Sequence, residues 1–394
     1  MQAKVHLVGA ALCAILLAGC AGAPPAAPPP AAQVLFHDSL FGPADPAINA
    51  DQLFALTPAM KAYAEDIHKK QRGKALQQAL FEALYRKDQL KLDYDSALTR
   101  NAAQTFEARA GNCLSLVVMT AALARELDMT VSYQSIPVDE AWSRSGKLYI
   151  ASGHVNLVLG KPKTDILRGY DQQQYFTIDF MPPPDNAHQQ AQALEEKTIV
   201  AMFMNNRAAE SLALGKVDDA YWWVRQAVKQ DPAFLNAYNT LGVIYQHAGH
   251  QAEAERVLRY AHQQAPDSTV YLYNLAQALR NLGRDAEAAQ LEIRLAQLEP
   301  YPPFHFFNLG RQAMQQGDYA KARQLFAREL ARSPDYHEFH FWMAVASFQL
   351  GDLGSADEHM KLAMENSTTR GDHDLYTAKL DRIKAYEARP RRRP

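Results

Sequence analysis

PAFLNAYNTLGVIYQHAGHQAEAERVLRYAHQQAP, residues 232–266, holds two helical runs separated at Gly249 and bounded by Pro232 and Pro266. Its features recur along the C-terminal half of the chain. Gly215, Gly249, Gly283, Gly317 and Gly351 stand 34 residues apart, as do Ala220, Ala254, Ala288, Ala322 and Ala356. Pro232, Pro266, Pro300 and Pro334 keep the same step. A fixed period of this kind describes an all-α solenoid of stacked helix pairs. Each glycine is expected to end the first helix of a pair in the left-handed conformation, each alanine to let the second helix pack closely, and each proline to bound the unit.

Tyr238, Leu241, Gly242, Tyr245, Ala254, Leu258, Ala261 and Pro266 fall on the positions of the tetratricopeptide repeat, which this region resembles over five units in residues 196–369. Arg207 stands where the first unit should have leucine, and Glu329 where the fourth should have a small residue. The resemblance implies a concave groove for a protein or peptide partner, lined by Asn236, Asn239, Tyr273, Arg280, Phe304, Phe307, Arg311, Phe341 and Phe348. Residues 370–394 read as a capping helix, Leu375 to Ala388, followed by a basic tail at 389–393. The two histidines in His337-Glu338-Phe339-His340 read as repeat-helix surface residues, so no metal or other cofactor is expected.

With 394 residues and 48% hydrophobic content, the chain has room for two or more domains with real cores. A formal net charge of -2 supplies no field for nucleic acid, so nucleic-acid binding is not expected. The first 19 residues read as an export signal, with Lys4 before an apolar run from Leu7 to Leu17. The closing Leu17-Ala18-Gly19-Cys20 resembles a bacterial lipobox, which implies a lipid on Cys20 and a membrane anchor without a spanning helix. Ala21 in place of Asp implies the outer membrane, facing the periplasm. Residues 20–33, rich in proline and alanine, then form an extended tether.

Residues 34–195 form the front domain. A helix is expected from Thr57-Pro58, another over Lys74 to Tyr85, a short strand over Leu90 to Tyr94, and a helix over Thr99 to Ala110 capped by Thr99. Arg109-Ala110-Gly111-Asn112-Cys113-Leu114-Ser115-Leu116 then opens an apolar helix that runs to Leu127. Strands follow over Val131 to Val138, Leu148 to Gly160 and Gln174 to Phe180. Cys113 begins a helix, where free N–H groups and the helix dipole favour the reactive thiolate. Removal of Cys13 with the signal and lipidation of Cys20 would leave it the only thiol in the mature chain.

Gly111-Asn112-Cys113, followed by Gly153-His154-Val155-Asn156-Leu157 and Tyr175-Phe176-Thr177-Ile178-Asp179, resembles the transglutaminase-like superfamily. That resemblance implies an α+β domain, a helix packed on an antiparallel sheet, ahead of the solenoid. It also implies a catalytic set in which Cys113 is the nucleophile, His154 the proton carrier and Asp179 its orienting partner. The backbone N–H of Cys113 and the side chain of Gln104 are the expected oxyanion donors. The expected activity is amide hydrolysis or transamidation on a protein or peptide, with water or an amine as acceptor. The alternative is a non-catalytic scaffold lipoprotein whose repeats assemble a cell-envelope or secretion complex.

Overall fold

A computed structural model describes residues 32–70, 75–85, 90, 92–96, 98–145, 148–162, 175–180 and 191–388. The export signal, Cys20 and the basic tail at 389–393 lie outside the described residues.

The front region opens with two helices, α1 (Pro58–Lys70) and α2 (Leu76–Tyr85). Thr57 caps α1, its hydroxyl accepting the Met60 N–H at 3.2 Å, and proline fits the first helical position because no N–H is needed there. The expected strand at 90–94 is reduced to β1 (Asp93–Tyr94). The next helix is α3 (Ala102–Ala108), and Thr99 is not its cap. Asn101 takes that place through a capping box: its side chain accepts the Gln104 N–H at 2.9 Å, and the Gln104 side chain accepts the Asn101 N–H at 3.2 Å.

After α3 come β2 (Ala110–Gly111), paired in parallel with β1, and α4 (Cys113–Glu126). Asn112 caps α4 by accepting the Ser115 N–H at 2.9 Å. Every residue from Leu114 to Ala124 is buried, so α4 is the central helix of the region and only its two ends reach the surface. Gly111 has no room for a side chain, since a Cβ there would lie 2.7 Å from the Ser115 Cβ.

Strands β3 (Met129–Ser145), β4 (Leu148–Pro162), β5 (Tyr175–Ile178) and β6 (Gln192–Leu194) form an antiparallel sheet in the order β5-β4-β3-β6. The first two run longer than expected because β3 and β4 pair with each other well beyond the apolar alternation. Leu157, Leu159, Val155 and Ile178 are buried with α4 in the core.

The remainder is helical: α5 (Glu196–Ala213), α6 (Val217–Gln230), α7 (Leu235–His247), α8 (Gln251–Gln264), α9 (Thr269–Asn281) and α10 (Asp285–Leu298) are followed by α11 (His305–Gln315), α12 (Tyr319–Leu330), α13 (His337–Gln349), α14 (Leu353–Glu365) and α15 (Arg370–Glu387). The five periodic glycines all lie between the helices of a pair, with φ from 73° to 84°. The five periodic alanines are fully buried. One continuous core joins α4 and the sheet to the helices from α5 to α9. Residues 34–42 also pack on the solenoid, where Phe41 stacks on Tyr221 and Trp222 donates to the Gly42 carbonyl at 2.7 Å.

Both departures from the repeat pattern have structural causes. Arg207 pairs with Glu210 at 2.9 Å, and Glu210 accepts the Thr99 N–H at 2.7 Å, which ties α5 to the front region. Buried Glu329 accepts the N–H groups of Phe306 and Phe307 at 2.8 and 3.2 Å. It caps α11 from α12, a function the residue at the start of α11 does not serve, because Phe304 there has no capping side chain.

Candidate functional site

The antiparallel pairing of β4 with β5 sets Leu157 opposite Ile178, which extends to Asn156 beside Asp179 and leaves His154 one diagonal step away on the same face. His154 Nε2 lies 2.7 Å from Asp179 Oδ1. Asn156 donates to the other carboxylate oxygen at 3.4 Å, and the Tyr85 hydroxyl donates to the Asp179 backbone carbonyl at 3.2 Å. The aspartate is therefore held from three sides. The Cys113 side chain lies beside the same imidazole. Cys113, His154 and Asp179 thus come together from α4, β4 and the end of β5.

Burial of His154, which is 5% exposed, disfavours its charged form. The hydrogen bond to Asp179, with the charge of that carboxylate and the influence of the adjoining Cys113, outweighs burial and raises its pKa to about 9. Such a ring is protonated through neutral pH and can give its proton to a leaving group.

Gln104 does not join them. Its side chain is engaged in the α3 capping box and lines a separate cavity of about 550 Å³ with Thr57, Tyr63, Phe106 and Arg109. Thr99, mistaken in the sequence for a cap, connects the site to the solenoid instead. Its hydroxyl accepts from Asn112 at 2.8 Å and from Asn206 of α5 at 3.3 Å. Only the tertiary fold reveals this link, since Thr99 and Asn206 are 107 residues apart.

The groove expected along the repeats is corrected at several positions. Phe304 and Phe307 are 2% and 0% exposed and belong to the core of the fourth unit. Pro302 and Pro303 precede the first turn of α11, which begins at His305, and Phe304 adopts φ 63°. Phe341 stacks on Tyr376 and Phe348 meets Tyr386 edge-on, so α15 covers both. Arg280 is bound to Glu292 at 2.6 Å and to Asp285 at 3.2 Å, and Arg311 lies 3.9 Å from the centre of the Trp342 ring. Asn236 accepts from the Tyr271 hydroxyl at 2.6 Å and Asn239 from Asn274 at 2.8 Å, contacts that join consecutive units. Tyr273 remains about half exposed. His337 contacts the Tyr376 hydroxyl at 2.8 Å and His340 contacts His359 at 3.0 Å, so both histidines serve packing within the solenoid.

Residues 307–363 and 236–259 each match a family described as tetratricopeptide repeat. No curated protein matches the chain. Solved structures similar to it include a thermophilic TPR protein of Thermus thermophilus, at 19% identity over 46% of this chain and 98% of that one, with a TM-score of 0.30. PilW, a type IV pilus biogenesis factor, is 24% identical over 47% of this chain and 86% of its own, with a TM-score of 0.28. PilF of Pseudomonas aeruginosa is 19% identical over 49% and 99%, also at 0.28. The C-terminal part of the chain thus contains tetratricopeptide repeats.

Proposed function

We propose that the protein is a cysteine-dependent acyl-transfer enzyme of the transglutaminase-like type, acting on a protein or peptide amide that its repeats recruit. The observation that carries this reading is buried His154, hydrogen-bonded to Asp179 and adjoining Cys113. Cys113 attacks the amide carbonyl as the thiolate, beside a His154 ring that already carries the proton. A C–S bond forms, the C–N bond breaks, and His154 gives that proton to the leaving amine. Water or a second amine then releases the acyl group from sulfur. Asp179 holds the ring in the orientation that serves the proton transfer. The placement of Cys113 at the start of a buried helix that packs on an antiparallel sheet supports the same reading.

Iodoacetamide tests it. Cys113 is expected to react faster in the native protein than in His154→Ala, and equal rates would remove the basis for an activated thiol.

The second reading is a scaffold without turnover, favoured by the family matches, both of which fall within the repeats. Under that reading Cys113→Ser would restore a deletion strain in full, whereas Tyr273→Ala in the solenoid would not.

The proposal extends to location. Leu17-Ala18-Gly19-Cys20 supports an outer-membrane lipoprotein facing the periplasm, in which the lipid on Cys20 holds the protein at the membrane. Incorporation of an alkyne-tagged palmitate should be abolished by Cys20→Ala; retained label would place the anchor elsewhere.

A further inference from the structure

The turn before Cys113 brings a further group to the site. Tyr94 pairs with Gly111 across β1 and β2, and the Asp95 N–H donates to the Gly111 carbonyl at 3.0 Å. This pairing takes the Tyr94 side chain, half-buried, to the first turn of α4, where its phenol lies beside the backbone N–H of Cys113. The segment is held in place on both sides. Arg100 binds Asp95 at 2.9 Å, and the Arg100 N–H donates to the Ser115 hydroxyl at 2.9 Å.

Acyl transfer turns a neutral carbonyl oxygen into an anion, and donors fixed in advance at that position supply much of the rate. The Cys113 N–H is one such donor. The Tyr94 phenol lies beside it, near the place where the substrate oxygen would form. Burial pushes the Tyr94 phenol up, so the hydroxyl retains a proton to donate throughout the neutral range. Gln104, the donor expected from the sequence, is engaged at α3.

We infer that the Tyr94 hydroxyl is the second oxyanion donor, turning its O–H onto the same substrate oxygen that the Cys113 N–H holds. The inference rests on the acyl-transfer reading of Cys113, His154 and Asp179. In the first step the sulfur bonds to the carbonyl carbon while the carbonyl electron pair moves to oxygen, which Tyr94 and the Cys113 N–H hold. Collapse reforms the C=O bond and expels the leaving group.

Two probes of one sulfur test this. Acylation of Cys113 by p-nitrophenyl acetate forms an oxyanion and releases p-nitrophenolate. Alkylation by iodoacetamide displaces iodide at a saturated carbon and forms none. In the full chain, Tyr94→Phe is expected to slow acylation about a hundredfold or more while leaving alkylation unchanged. Unchanged acylation would overturn the inference. An equal fall in both rates would also overturn it, since Tyr94 would then act on the sulfur or on the local fold. Failure of the parent reading looks different: the unaltered protein would then react no faster than His154→Ala with either probe, and the inference would fall with it.

Discussion

Ser96 and Thr368, 272 positions apart, are joined by three hydrogen bonds. The Ser96 N–H donates to the Thr368 carbonyl at 2.8 Å, and the Ser96 hydroxyl reaches that carbonyl at 3.2 Å and the Thr368 hydroxyl at 2.9 Å. The turn between α14 and α15 therefore lies against the segment that carries Tyr94. A double-mutant cycle on Ser96→Ala and Thr368→Val should give a coupling of about 0.5–1 kcal/mol, the scale of one net hydrogen bond near the surface. Strict additivity would mean that the two hydroxyls do not bond in solution.

The titration of His154 has a defined sign. Its folded pKa, raised to about 9, lies above the ordinary value of 6.5, so its contribution to stability is fully present below about pH 6.5 and is lost as pH rises through about 9. An NMR titration of the ring should show a midpoint near 9 in the native protein. In Asp179→Asn the midpoint should fall, because the strongest opposing partner to burial is gone. A midpoint that does not move would show that Asp179 does not support the charge.

Gly242 is a packing requirement. A Cβ there would lie 2.4 Å from the Leu258 Cγ, where α7 crosses α8. Gly242→Ala should destabilise the solenoid by about 1–3 kcal/mol through overpacking, and adding Leu258→Ala should make the cost of the alanine much smaller. Denaturant melts of the single and double variants decide this.

Glu329 makes a contrasting case, a buried carboxylate whose loss leaves two N–H groups at the start of α11 without an acceptor. Glu329→Ala should cost about 2 kcal/mol or more, and Glu329→Gln less, because the amide oxygen still accepts. A neutral alanine variant would contradict the capping role.

The 34-residue period determined the solenoid from sequence alone, because its requirements are local. A left-handed glycine between helices and a small residue where they cross depend on neighbours within one unit, and Gly215 to Gly351 and Ala220 to Ala356 meet those requirements. The chemical types at Cys113, His154 and Asp179 were legible for a similar reason, each standing in a short motif at the start of a helix or on a strand. Their meeting was decided by the register of β4 on β5 and the packing of α4 beneath the sheet, which bring residues 41 and 25 positions apart within reach of one imidazole. The roles of Tyr94, Thr99 and Glu329 were not readable. Their partners lie across the fold, and a hydroxyl or carboxylate serves equally well at a surface or in a core until the tertiary structure supplies the N–H it must satisfy. The same limit explains Phe304, Phe307, Phe341 and Phe348, whose positions in the period indicated an open groove but whose exposure depended on how α11 begins and where α15 lies.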